Sequence, residues 1–308
     1  MIFRPNRRSA LLAAGGLGLA ALPIPQAAAQ LDDVIEKRES KYNTIYVQRV
    51  GGMIGMMFGV NQRIFEESLY DPADPKLLPV EYTRYMTVAL AYPDALKTAL
   101  EIGLGGGRTA SYLDKHMGAG LDVTCVELDP EVIRLAKKYF GVTETAHLRI
   151  VARDGRMYLR ENAAKYDLIM VDAYRGTFVP FHLLTKEFFT LVKARLNPGG
   201  AVAQNIEPST MLFDAAIATI ADVFDTVELY EAGGNVVAIA YDGPRKPHAQ
   251  LAARAQALQA QYGFRHPLPE MLGARRIVTG ARAKPLTDDF APVEALKAET
   301  KYNRKRDF

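Results

Sequence analysis

Leu100-Glu-Ile-Gly-Leu-Gly-Gly-Gly107 is an apolar run that ends in glycines, and its reading decides the fold. Residues 98–103 predict a buried strand. Gly105, Gly106 and Gly107 form a loop, and residues 109–116 a helix. The same strand–helix unit then repeats. Strands are expected at 122–127, 147–151, 166–171 and 201–205. Helices are expected at 130–139, with Pro130 at the start, and at 155–162, 185–196 and 211–224. Residues 226–230 and 236–241 read as a closing pair of strands, and 246–265 as an Ala-rich helix. Repeated strand–helix units imply an α/β fold, a doubly wound parallel sheet with helices on both faces.

Toward the N-terminus the pattern changes. Residues 42–47 alternate in the strand manner, Gly51-Gly52 signals a turn, and residues 53–60 read as the returning strand. Asn61-Gln62 is another turn. This predicts a small antiparallel β segment, followed by a proline-punctuated loop at 71–79 and a helix at 81–91. The first residues differ again. Arg4, Arg7 and Arg8 precede a 13-residue apolar run at 10–22, and Ala27-Ala-Ala29 offers small residues for cleavage. That is the layout of an export signal, and Arg7-Arg8-Ser9 with Leu11-Leu12 resembles a twin-arginine one. The expected organisation is a signal peptide at 1–29, a β segment at 30–80, a Rossmann-like domain at 81–245 and a helical extension and tail at 246–308. Such a signal implies an exported, periplasmic protein, or a cytoplasmic one if translation starts further on.

Composition narrows the class. A chain of 308 residues, 49% hydrophobic and 24% charged, is a folding chain rather than a disordered one. One cysteine, Cys125, excludes an internal disulfide framework and a multi-cysteine zinc site. Beyond the three N-terminal arginines the charge balances at 35 basic and 35 acidic residues, which argues against a general nucleic-acid or anionic-membrane binder. No membrane span is expected after residue 30.

Open parallel sheets bind ligands at the carboxyl ends of their strands. Four such ends carry glycines or acids here. Gly103, Gly105 and Gly107 let backbone approach a ligand at the start of a helix. Glu127 ends the next strand, about 20 residues on, where a carboxylate can accept from a ribose diol. Asp154 follows the third strand, and can meet a purine amine or cap a helix. Asp172 ends the fourth, at the expected reaction centre, where a structural cap is the competing reading. His182 follows in Pro180-Phe-His-Leu-Leu184 beside the site, where it could act as an acid or base but reads first as packing or gating.

Together, Leu100–Gly107, Val126-Glu-Leu-Asp-Pro130, Arg153-Asp-Gly155 and Val171-Asp172 resemble the spermidine synthase family of aminopropyltransferases and its synthase-like relatives. Ser40-Lys-Tyr-Asn-Thr-Ile-Tyr-Val47, residues 58–62 and Glu81-Tyr-Thr-Arg-Tyr-Met86 look like that family's N-terminal β segment and first helix. Leu286-Thr-Asp-Asp-Phe-Ala-Pro-Val-Glu294 resembles a tail of the synthase-like branch. The resemblance implies a methyltransferase-type fold binding decarboxylated S-adenosylmethionine as cosubstrate, without a metal. It implies transfer of an aminopropyl group to a small-molecule amine, and a homodimer built on the β segment. Gln62 would contact the cosubstrate, Glu127 the ribose and Asp154 the adenine, while Asp172 would orient or deprotonate the amine. Tyr174 would line the pocket.

The departures point elsewhere. Gly106 stands where the family's loop carries an Asp that pairs with the aminopropyl ammonium. Arg175 replaces a second Asp, and Arg84 with Thr83 replaces a Gln or His preceded by Tyr. With Arg84 and Arg175 turned inward, an acidic acceptor or a cosubstrate retaining its carboxylate would be favoured. Two alternatives to aminopropyl transfer therefore stand: an S-adenosylmethionine-dependent methyltransferase, and an exported nucleoside-binding protein without turnover.

Overall fold

The computed structural model describes residues 31, 33–60, 63–174, 176, 178–277 and 283–289. The export signal expected at 1–29 lies outside them, as do Gln62, Arg175 and the tail from residue 290 onward.

The N-terminal segment is a four-stranded antiparallel meander. It runs through β1 (Val34–Glu39), β2 (Thr44–Val50), β3 (Met53–Val60) and β4 (Arg63–Tyr70), paired in that order. The sequence reading found only its two middle strands. The outer ones carry little alternation: β1 is charged at four of its six positions, and β4 mixes charged with apolar residues.

The main domain begins with α1 (Glu81–Met86), which runs into a 3₁₀ turn at Thr87–Ala91. Then come β5 (Thr98–Ile102), α2 (Arg108–Met117), β6 (Asp122–Glu127), α3 (Pro130–Tyr139) and β7 (Leu148–Ala152). They are followed by α4 (Gly155–Glu161), β8 (Tyr166–Val171), α5 (Lys186–Ala194), β9 (Leu196–Ile206) and α6 (Phe213–Val223). The chain closes through β10 (Thr226–Ala232), β11 (Asn235–Tyr241), α7 (His248–Tyr262), α8 (Leu268–Met271) and β12 (Arg275–Ile277).

These strands make one eight-stranded sheet in the order β12-β10-β11-β9-β8-β5-β6-β7. From β9 to β7 all neighbours are parallel, whereas β11, β10 and β12 are antiparallel to theirs. The sheet is therefore mixed rather than fully parallel. Gly233 and Gly234 alone separate β10 from β11, and a two-residue turn can only reverse the chain.

Alternation along the strands explains the two apolar layers. Ala99, Leu168 and Met170 point to the core under α2, α3 and α7, with Leu113, Leu135 and Leu251. Leu100, Ile169 and Val171 point to the opposite core, with Phe188 and Phe189 of α5 and Ile220 of α6. Central strands buried on both faces read as continuous apolar runs, which is why they were legible. Cys125 is buried in β6 and unpaired, in accord with an inert thiol. Among the described residues no helix is long and apolar enough to cross a membrane.

Candidate active site

Strand order changes direction at β5: β6 and β7 lie on one side, β8 and β9 on the other. The ends of β5 and β8 meet at this switch point. The Asp172 N–H donates to the Ile102 carbonyl at 2.8 Å, and the Gly103 N–H to the Val126 carbonyl at 2.8 Å. Gly103 has φ +95°, and a Cβ there would lie 2.2 Å from the Asp172 carbonyl oxygen. Glycine is required where these strand ends touch.

A cavity of about 390 Å³ opens above this junction. Gly103, Gly105, Glu127, Asp154, Asp172, Tyr174 and His182 line it from the main domain, and Tyr42, Phe58, Glu67 and Ser68 from the N-terminal sheet. The structure thus brings together most of the expected residues. Gly107 is not among those lining it; it sits at the N-cap of α2 in a left-handed conformation.

Each carboxylate is held differently. Glu127 accepts from the Leu104 N–H at 2.8 Å and from the Asp129 N–H at 2.9 Å, so the glycine loop wraps its head group. Burial raises its pKa, and these backbone donors oppose the rise. Asp154 caps a helix, as one of its two readings expected, and also meets a histidine. One oxygen caps α4 by accepting the Met157 N–H at 2.8 Å, and the other pairs with His182 Nε2 at 3.0 Å. The bond to His182 is the main cause of its lowered pKa. His182 belongs to a 3₁₀ turn, Phe181–Leu183, whose carbonyl at His182 accepts from Arg156 at 3.1 Å. Arg156 in turn pairs with Asp288 of the tail, and the Leu286 carbonyl accepts the Lys186 N–H at 2.8 Å.

Asp172 is the most perturbed of the expected acids. Burial pushes its pKa up to about 6, and hydrogen bonds from Asn205 and Tyr82 hold it back. Asn205 Nδ2 donates to its Oδ1 at 2.9 Å, and Asn235 Nδ2 orients Asn205 at 2.9 Å. A carboxylate with a pKa near the working range can exchange a proton with a bound amine.

Arg84 corrects an expectation. It does not line the cavity; its guanidinium donates to the Leu78 carbonyl at 2.6 Å and the Pro79 carbonyl at 3.1 Å. Tyr82 faces the cavity from the same helix, and a residue two places on lies about 200° around the axis. The helix therefore presents Tyr82, not Arg84, and the inward guanidinium that favoured an acidic acceptor is absent at this position.

Three contributors went unread. Tyr82 stands two residues before Arg84 on the same helix. Asn205 ends a predicted strand, so the criterion that selected Asp172 would have found it. Glu67 sits in the middle of β4, a strand the sequence did not reveal, and no local signal marks it. Among the described residues no group of three His, Cys, Asp or Glu side chains is placed to hold a metal ion.

Comparison with known proteins agrees with this geometry. The spermine/spermidine synthase domain matches residues 81–232. A probable polyamine aminopropyl transferase of Bifidobacterium longum is 34% identical over 240 residues, 69% of this chain and 52% of that one, so the chain spans about half its length. A polyamine aminopropyltransferase of Chromobacterium violaceum is 31% identical over 204 residues, 64% of this chain and 78% of that one. In fold, the chain is similar to a probable spermidine synthase from Corynebacterium glutamicum, with a TM-score of 0.64 at 21% identity over 83% of this chain and 97% of the other. On these matches, and on a switch-point cavity that gathers Glu127, Asp154 and Asp172, the chain belongs to the spermine/spermidine synthase family.

Proposed function

We propose that this protein transfers an aminopropyl group from decarboxylated S-adenosylmethionine to a small-molecule amine. The observation that carries the reading is Asp172: a buried carboxylate at the sheet's switch point, beside the glycine loop, with a pKa of about 6. The residues present fit such a cosubstrate. The cavity volume lies within the range of small-molecule pockets. Glu127 offers the lone pairs its two backbone donors leave free to a ribose diol, and the Asp154–His182 pair borders the end where a base would lie.

The bound sulfonium supplies an activated methylene and a neutral leaving group, methylthioadenosine. The chain's own task is proton handling and alignment. An ammonium has no lone pair, so Asp172 must draw a proton from the acceptor before its nitrogen can attack. Asn205 and Tyr82 fix the carboxylate so that its free lone pairs face the cavity. As the new C–N bond forms, the C–S bond breaks, its electron pair leaves on sulfur, and the amine's proton ends on Asp172.

The test is incubation of the protein with decarboxylated S-adenosylmethionine and a panel of diamines, scored by released methylthioadenosine. Its appearance, dependent on acceptor, is the expected result. Release of S-adenosylhomocysteine from S-adenosylmethionine would instead establish a methyltransferase, and binding without either product a nucleoside-binding protein. For residues 1–29 we keep the reading of an export signal; immunodetection of a shortened chain in the periplasmic fraction is the expected outcome.

A further inference from the structure

Among the described residues Glu67 is the one cavity carboxylate from the N-terminal sheet, and the chemistry above leaves it without a task. It lies in the middle of β4, with Asp172, Glu127, Tyr82 and Tyr174 around the same space. Its Oε1 is shielded from solvent and accepts no hydrogen bond among the described residues. A carboxylate oxygen held dry and unpaired is costly, and such groups are ordinarily matched by a cation. Burial raises the Glu67 pKa well above its ordinary value, and the carboxylates of Asp172 and Glu127 add to the rise. A positive charge arriving among the three would be stabilised by all of them.

The neighbouring contact explains why this carboxylate comes from β4. The Gly106 N–H donates to Ser68 Oγ at 2.8 Å, which fastens β4 to the glycine loop. A Cβ on Gly106 would lie 2.7 Å from the Ser68 Cβ and 2.9 Å from Phe140. The loop therefore has no room for a side chain at position 106. The strand that takes up that room carries Glu67 immediately before Ser68.

We propose that Glu67 binds the primary ammonium of the aminopropyl donor and so selects the decarboxylated cosubstrate over its carboxylated parent. This rests on the reading of the site as an aminopropyltransferase. Lys41 also lines the cavity, but a carboxylate carried beside the ammonium at Glu67 would meet Asp172 and Glu127 as well, and like charge there disfavours it. The ammonium alone is welcomed. Selectivity is thus built by a strand of the small sheet rather than by the nucleoside-binding loop.

Calorimetric titration of the full chain tests this with decarboxylated S-adenosylmethionine, S-adenosylmethionine and methylthioadenosine as probes. The native protein is expected to prefer the decarboxylated form over the carboxylated one by about tenfold or more. Glu67→Gln should lose that preference while binding methylthioadenosine, which has no ammonium, as the native protein does. Glu67→Asp keeps the charge and should retain part of the preference. A Glu67→Gln protein that still prefers the decarboxylated form overturns the assignment, and so does one that loses methylthioadenosine equally. A native protein without the preference overturns it too. Release of methylthioadenosine by the native protein is scored separately, so failure of the general reading and failure of Glu67 are told apart.

Discussion

The carboxyl edge of β5, β6 and β8 and the middle of β4 each place acids in the same cavity, by different means. Glu127 and Asp172 stand at strand ends, where the backbone leaves the sheet and side chains turn toward a ligand. Glu67 stands inside a strand and reaches the cavity because β4 is fastened across the glycine loop by Ser68. The strand-end acids are heavily supported: Glu127 by two backbone donors, Asp172 by Asn205 and Tyr82. Glu67 Oε1 has no hydrogen-bond partner among the described residues. The difference separates groups built to hold a fixed geometry from a group left to meet a charge that arrives with the substrate.

The strongest way to break this division is Asp172→Asn. Loss of the proton acceptor should lower turnover by about 10²–10⁴-fold while methylthioadenosine still binds. Retained turnover would falsify the role given to Asp172. Glu67→Gln should act next in size, and on affinity for the ammonium-bearing donor, by the titration described above.

The pH dependence sharpens the same contrast. Asp172 is raised from an ordinary 3.8 to about 6, so turnover should fall on the acid side of about pH 6, where its carboxyl is protonated. Binding of methylthioadenosine, which gives up no proton, should lack that limb. The same shift costs stability. Between pH 4 and 6 the folded chain binds the Asp172 proton that the unfolded chain has already released, so stability falls as pH rises through this window. Asp172→Asn should therefore be more stable than the native protein at neutral pH, by up to about 3 kcal/mol, as read from denaturant unfolding. The smallest effect on function is expected for Arg84→Ala. Removing its bonds to the Leu78 and Pro79 carbonyls should lower stability by about 1–3 kcal/mol and leave donor affinity unchanged.

Legibility followed periodicity. The central strands showed as apolar runs because both faces are buried, and their ends could be located to within a residue or two, which put Glu127, Asp154 and Asp172 in register. Asn205 obeyed the same rule and was overlooked. Arg84 and Tyr82 lie on the same short helix, but two residues of helix are about 200° of rotation, so only one of them can face the cavity. β1 and β4 escape because charged residues interrupt their alternation; β10 and β11 read as a pair, but that β11 lies against β9 is not written locally.

What the sequence determined by itself was the chemistry of the parallel-strand ends and the family they resemble. Order along a strand is a local property, and each strand of a repeated βα unit ends at the same edge of the sheet. Only the tertiary structure decided which way α1 faces, what Gly106 leaves room for, and that a mid-strand glutamate from a separate sheet completes the cavity. Those outcomes depend on contacts between segments such as Ser68 and Gly106, 38 residues apart, and no local pattern encodes a contact at that separation.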